Sequence, residues 1–159
     1  MFYQMLKWCV SILFNMLNIL FGGKLPPLGS AAVIVREDDH YLVIELPRGH
    51  TTFPGGFMHW RESPQQAAER EGKEETGLDL KVEGMIGFYP CASSSWLNMS
   101  NLSFVYQAHV VGGQLRKNIE GRPLWMTEEE LRRRLDGHTL GILEDFLRYL
   151  ELQKNSRVA

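Results

Sequence analysis

Glu71, Glu74 and Glu75 are spaced i, i+3 and i+4, so a helix through them sets three carboxylates on one face. Arg70 stands directly before them, and Glu62 precedes the same helix as a fourth carboxylate. Neighbouring anions on a helix repel, by roughly 0.2–0.5 kcal/mol per exposed pair and by more once desolvated. A helix that needed only solubility would interleave lysines on that face. Hard, oxygen-seeking cations such as Mg²⁺ or Mn²⁺ neutralise a cluster of this kind.

The residues around the cluster show how it would be positioned. Ser63-Pro64-Gln65-Gln66 reads as a helix start, with Ser63 as N-cap, Pro64 at the first helical position and Gln66 completing a capping box. Gly77 reads as the left-handed residue that ends the helix. The glutamates therefore fall in the C-terminal half, against the helix dipole, a local conflict of the sort that marks function. Ala67 and Ala68, one turn before Glu71, are expected to leave room for a ligand. Pro54-Gly55-Gly56 precedes the helix, where glycines let the backbone bend sharply and approach a phosphate closely.

Gly56, Glu62, Arg70, Glu71, Glu74, Glu75, Gly77 and Leu78 together fall on the pattern G-x5-E-x7-R-E-U-x-E-E-x-G-U, where U is a bulky aliphatic residue. The segment resembles the Nudix box, and more weakly residues 31 to about 150 resemble the family in element order. One position departs: the first U is Gly72, where an aliphatic anchor usually plants the helix on its sheet. The resemblance implies an α/β/α sandwich with a mixed sheet, the box forming its loop–helix–loop. It also implies an Mg²⁺- or Mn²⁺-dependent hydrolase that cleaves the pyrophosphate of a nucleoside diphosphate linked to another moiety. That moiety is left open between a nucleoside triphosphate, a nucleotide sugar and an ADP-ribose-like compound.

By this resemblance Glu71, Glu74 and Glu75 are the main metal ligands, with Glu62 completing the shell directly, through water, or by orienting the loop. Arg70 pins the carboxylates rather than touching phosphate. The general base is a box glutamate, such as Glu74, or a loop residue such as Glu120, an extra acid before Gly121-Arg122-Pro123. Gly55 and Gly56 would meet the phosphates. Tyr89 and Trp96 either stack on a base or close the core. His59, Trp60 and Arg61 form a loop lip that either touches substrate or varies freely. The competing reading is a non-catalytic nucleotide-binding or membrane-tethered module. Its usual mark, loss of box carboxylates, is absent.

At 159 residues and 44% hydrophobic, the chain has enough length for one real core. A net charge of −2 and a pI of about 6.2 give no nucleic-acid patch, so the expected partner is a small nucleotide and not a nucleic-acid polymer. Arg132-Arg133-Arg134 sits beside Glu128, Glu129 and Glu130 and reads as a solvated helix face. Cys9 and Cys91 form neither a disulfide framework nor a metal spacing, which points to a reducing, cytoplasmic setting.

Residues 1–29 are read as an apolar helix and a Gly/Pro linker ahead of a domain spanning 30–159. Within 5–21 the run of Met, Leu, Trp, Val, Ile and Phe is broken by Lys7, Ser11, Asn15 and Asn18, which share one narrow stripe with Gln4. Three readings compete: a membrane helix or membrane-surface helix, a helix packed on its own domain or a dimer mate, and a signal peptide. Strands are expected over 31–36, 41–46, 80–89 and 102–111, with the turn Glu37-Asp38-Asp39-His40 joining the first two. A capping box at Thr127 and Glu130 opens one helix, and apolar periodicity gives another over 138–152.

Overall fold

Val33, Ile34 and Val35 alternate across a strand, and each is fully buried because both faces of that strand are covered. The computed structural model describes the backbone of residues 2–156 except Arg48, Ile119 and Glu120, and the side chains of all of these but residues 2–4 and 7. The elements run α1 (Phe2–Leu20), β1 (Leu28–Glu37), β2 (His40–Glu45), β3 (Thr51–Thr52), β4 (Gly55–Phe57), α2 (Pro64–Thr76) and β5 (Leu78–Cys91). They continue as β6 (Asn101–Gly113), β7 (Arg122–Thr127), α3 (Glu128–Arg134) and α4 (Gly137–Ser156).

The sheet is mixed, with the order β3-β2-β1-β6-β5, β4 pairing with β1 and β7 with β2. β1 runs parallel to β6, from Leu28 opposite Asn101 to Val35 opposite Ala108. Its other edge is shared: Ser30–Ala32 pair with β4, and Arg36 and Glu37 pair with β2. This division lets β4 bring Gly55 and Gly56 back beside the centre of the sheet.

Two apolar layers follow from the alternation. On one face Val33, Val35, Leu42, Leu80, Tyr106 and Ala108 pack with Ala67 and Ala68 of α2. On the other, Ile34, Tyr41, Val43, Val105 and Met126 pack with Leu131 of α3 and with Ile142, Leu143 and Phe146 of α4. The result is the α/β/α sandwich expected from the sequence. Ala67 and Ala68 are fully buried against the sheet, so they bring α2 close to it instead of leaving space for a ligand.

β1, β5 and β6 extend beyond the expected strands at both ends, β2 starts and ends one residue earlier than expected, and β3, β4 and β7 were not expected at all. Pro123 in β7 is tolerated because, among the described residues, β7 pairs with β2 alone, which leaves its other edge free of ladder bonds. β1 starts at Leu28, within the segment read as linker.

α1 rests on the rest of the chain through Ser11 and Asn15 of its polar stripe. The Asn15 amide donates to the carbonyls of Trp96 and Asn98, at 3.2 and 3.0 Å, and Ser11 is buried. Asn18 turns the chain out of the helix, its Oδ1 accepting from Leu25 N–H and its carbonyl from Gly23 N–H. The apolar side of α1 faces outward. Among the described residues no helix is long and apolar enough to cross a membrane.

Candidate active site

α2 is fixed at both ends by the caps its sequence encodes. Ser63 Oγ accepts from Gln66 N–H while Gln66 Oε1 accepts from Ser63 N–H, and Gly77 ends the helix at φ 79° with its N–H bonded to Lys73 O. The segment after β6 ties down the C-terminal turn: Asn118 Nδ2 donates to Glu74 O, and Arg116 N–H to Thr76 O. The orphan carbonyls of Lys73, Glu74 and Thr76 are thereby satisfied.

Gly72 settles how the helix meets the sheet without its aliphatic anchor. A Cβ on Gly72 would lie 2.6 Å from Leu80 Cδ1 and 3.4 Å from Val33 Cγ2. Sheet side chains therefore occupy the volume an anchor would fill. Leu80 above all fills the gap.

Arg70 lies at the centre of the carboxylates. Its Nε and Nη2 donate to the two oxygens of Glu62 at 2.8 and 2.9 Å, a bidentate fork. Nη1 donates to Glu71 at 2.8 Å and to Glu74 at 3.3 Å, and Nη2 also reaches Phe57 O at 3.0 Å. Glu62 accepts in addition from His59 N–H, in a loop tightened by the left-handed Arg61 at φ 67°. The Arg70 hydrogen bonds, helped by the His59 amide, pull the Glu62 carboxyl down to about 2 against the effect of burial. In return the hydrogen bonds that Arg70 donates to Glu62, and then to Glu71, raise its affinity for its proton.

The glutamates also meet the Gly-Gly turn. Glu75, buried, accepts from Gly55 N–H at 2.8 Å. A Cβ on Gly56 would lie 2.5 Å from the Glu71 carboxyl carbon, and one on Gly55 would lie 2.5 Å from Ala31 O. Only glycine allows this approach at either position. Glu74, by contrast, keeps a side chain 58% exposed.

Gly55 and Gly56 also line a cleft of about 300 Å³ on the α4 side of the sheet. Phe53, Val105 and Ile142 give it apolar walls, and Asn101, Ser103, His138 and Thr139 give it polar groups. The two glycines thus border both the cleft and the carboxylate cluster.

Tyr89 and Trp96 are not among the residues lining the cleft. Tyr89 donates to Asp145 Oδ2 at 3.0 Å and stands edge-on to His138, whose own side lines the cleft. Burial, then the Asp145 carboxylate, pushes its hydroxyl pKa up. Trp96 is exposed on the turn that receives Asn15. Glu120 lies outside the described residues. Asn101, Ser103, His138 and Thr139 escaped the sequence reading as site residues, since the two pairs come from segments far apart in the chain. His138 followed by Thr139 at the start of a periodic run was the one signal available.

Residues 26–146 match the family model described as the NUDIX domain. A MutT-like protein of Streptomyces ambofaciens is 31% identical over 115 residues, covering 69% of this chain and 71% of that protein. An ADP-ribose pyrophosphatase of Methanocaldococcus jannaschii is 33% identical over 87 residues, covering 52% of this chain and 51% of the relative, so the match spans about half of its length. A solved Nudix hydrolase from Nitrosomonas europaea superposes with a TM-score of 0.70 at 27% identity, covering 77% of this chain and 90% of that one. With this fold and a complete set of box carboxylates, the chain belongs to the Nudix hydrolase family. Its class is that of a pyrophosphohydrolase.

Proposed function

We propose that the chain hydrolyses the pyrophosphate bond of a nucleoside diphosphate linked to a second moiety, with Mg²⁺ or Mn²⁺ as cofactor. The observation that carries the reading is the shared position of Gly55 and Gly56, between a nucleoside-sized cleft and the glutamates of α2. Among the described residues no group of three or more acidic, histidine or cysteine side chains already converges on one metal position. The donor set nonetheless fits a hard cation, because Glu62, Glu71, Glu74 and Glu75 offer only carboxylate oxygens.

Glu71, Glu74 and Glu75 would hold the cation, with Glu62 completing the shell or keeping Arg70 in place. When bound, the cation neutralises phosphate charge and makes water a stronger nucleophile. Arg70 keeps Glu62 and Glu71 from repelling each other before substrate arrives. Glu74, the most exposed of the box carboxylates and held by Arg70 at only 3.3 Å, suits the role of general base that takes a proton from the attacking water. The bare backbone at Gly55 and Gly56 lets phosphate oxygens approach closely. The cleft would take the nucleoside, its apolar walls contacting base and sugar while Asn101, Ser103, His138 and Thr139 offer hydrogen bonds.

The second moiety is read as a phosphate, a sugar or a ribose phosphate. A phosphorus-NMR screen of nucleoside triphosphates, nucleotide sugars, ADP-ribose and a nucleotide-capped RNA, run with Mg²⁺ and then with EDTA, tests the proposal. Metal-dependent cleavage of a small nucleotide is the expected result. No turnover across the panel, or turnover unaffected by EDTA, would overturn it.

A further inference from the structure

α1 presents its faces in the opposite sense to a helix of a water-soluble domain. Its polar residues Ser11 and Asn15 are turned inward, Ser11 buried and Asn15 bonded to the 96–98 turn, while large apolar side chains face out. Leu6, Leu13 and Leu20 form one exposed row, and Met5, Ile12 and Ile19 a second, about 100° around the helix from the first. All six are between 38% and 79% exposed. A patch of this breadth marks a contact surface.

Its charge favours one occupant. Residues 1–35 contain Lys7 and Lys24 and no acidic residue, whereas the rest of the chain holds fifteen of the seventeen basic residues and all nineteen acidic ones. Pairing α1 with the α1 of a second copy would bring like charges together with no carboxylate in the segment to offset them. One helical seam would also cover only one of the two rows. A lipid surface wets both rows at once, and anionic headgroups supply the missing negative charge. Trp8 on the helix and Trp96 on the turn beneath it are both exposed, and tryptophan favours the headgroup boundary.

We propose that α1 lies in the plane of an anionic lipid surface, its apolar rows in the acyl boundary and Ser11 and Asn15 against its own domain. The hydrolase domain is thereby held at the membrane without a spanning segment. This inference does not rest on the substrate reading. The test is co-sedimentation of the full chain with vesicles of phosphatidylcholine alone and of phosphatidylcholine mixed with phosphatidylglycerol. Leu13→Glu combined with Leu20→Glu serves as one variant and Lys24→Glu as a second, with thermal melts reporting that each is folded.

The wild-type chain should pellet with the mixed vesicles and be released by high salt. The double variant should bind at least about tenfold more weakly, since two apolar side chains would no longer be buried. Lys24→Glu should weaken binding to the anionic vesicles alone. A wild-type chain that stays in the supernatant with both vesicle types overturns the proposal, as does vesicle binding that the folded double variant retains. Sedimentation as a dimer that binds no vesicles assigns the face to a second copy and overturns it equally.

Discussion

Arg70 does for the free enzyme what a cation would do once bound: it lets carboxylates stand together. Its side chain and that of Glu62 are only 20% and 13% exposed, so removing one partner strands the other. Arg70→Ala should lower stability by about 3 kcal/mol, read from urea denaturation. Arg70→Lys should recover little of that, because a lysine cannot form the fork to Glu62. Glu62 gives the pair a pH signature. Its folded pKa lies at about 2, below the ordinary 4.5, so the stabilisation is complete above pH 4.5 and is lost as pH falls toward 2. Melts of wild type and Glu62→Gln should diverge above that window and converge at its acid end. At this scale the sequence was highly legible, since the box residues are tied by helical spacing and their neighbours are fixed once the helix forms. The left-handed Arg61 was not, because nothing in its type signals a positive φ.

The helix α2 shows what spacing can and cannot convey about an element. Both of its caps were read from Ser63, Gln66 and Gly77, and Ser63→Ala should lower stability by about 1 kcal/mol, measurable as a lower melting temperature. What the sequence withheld was the packing at Gly72, because the answer lies in Leu80 and Val33 of other elements. Gly72→Leu should therefore destabilise by about 1–3 kcal/mol through overpacking. In a double-mutant cycle with Leu80→Ala the combined loss should be smaller than the sum, since the new side chain would fill the space Leu80 vacates. Additive losses would show that Leu80 does not set the helix position. Pro123 explains a second miss: proline argues against a central strand, and β7 is tolerable only as an edge, a fact of topology and not of composition.

Across the whole molecule, the parallel pairing of β1 with β6 is the arrangement that sequence reading could not reach. It sets Asn101 opposite Leu28 and Ser103 opposite Ser30, and with α4 it builds the cleft from segments about a hundred residues apart in places. The order of strands and helices was enough for the sandwich, because alternation and helical periodicity are local. The cleft wall was not, because it depends on which strands lie side by side. α1 stands apart from this machinery, bonded to the 96–98 turn and not to the cleft. Deleting residues 1–24 should accordingly leave kcat/KM on a soluble nucleotide unchanged.

The central claim is that the glutamates of α2 do the chemistry, and Glu74 offers the cleanest test because its exposed side chain supports little of the fold. The measurement is kcat of Glu74→Gln against wild type under saturating Mg²⁺, on a nucleotide that the wild-type enzyme turns over, with melting temperatures recorded in parallel. The expected result is a fall of about a hundredfold or more at an unchanged melting temperature. A variant that keeps wild-type turnover would contradict the account.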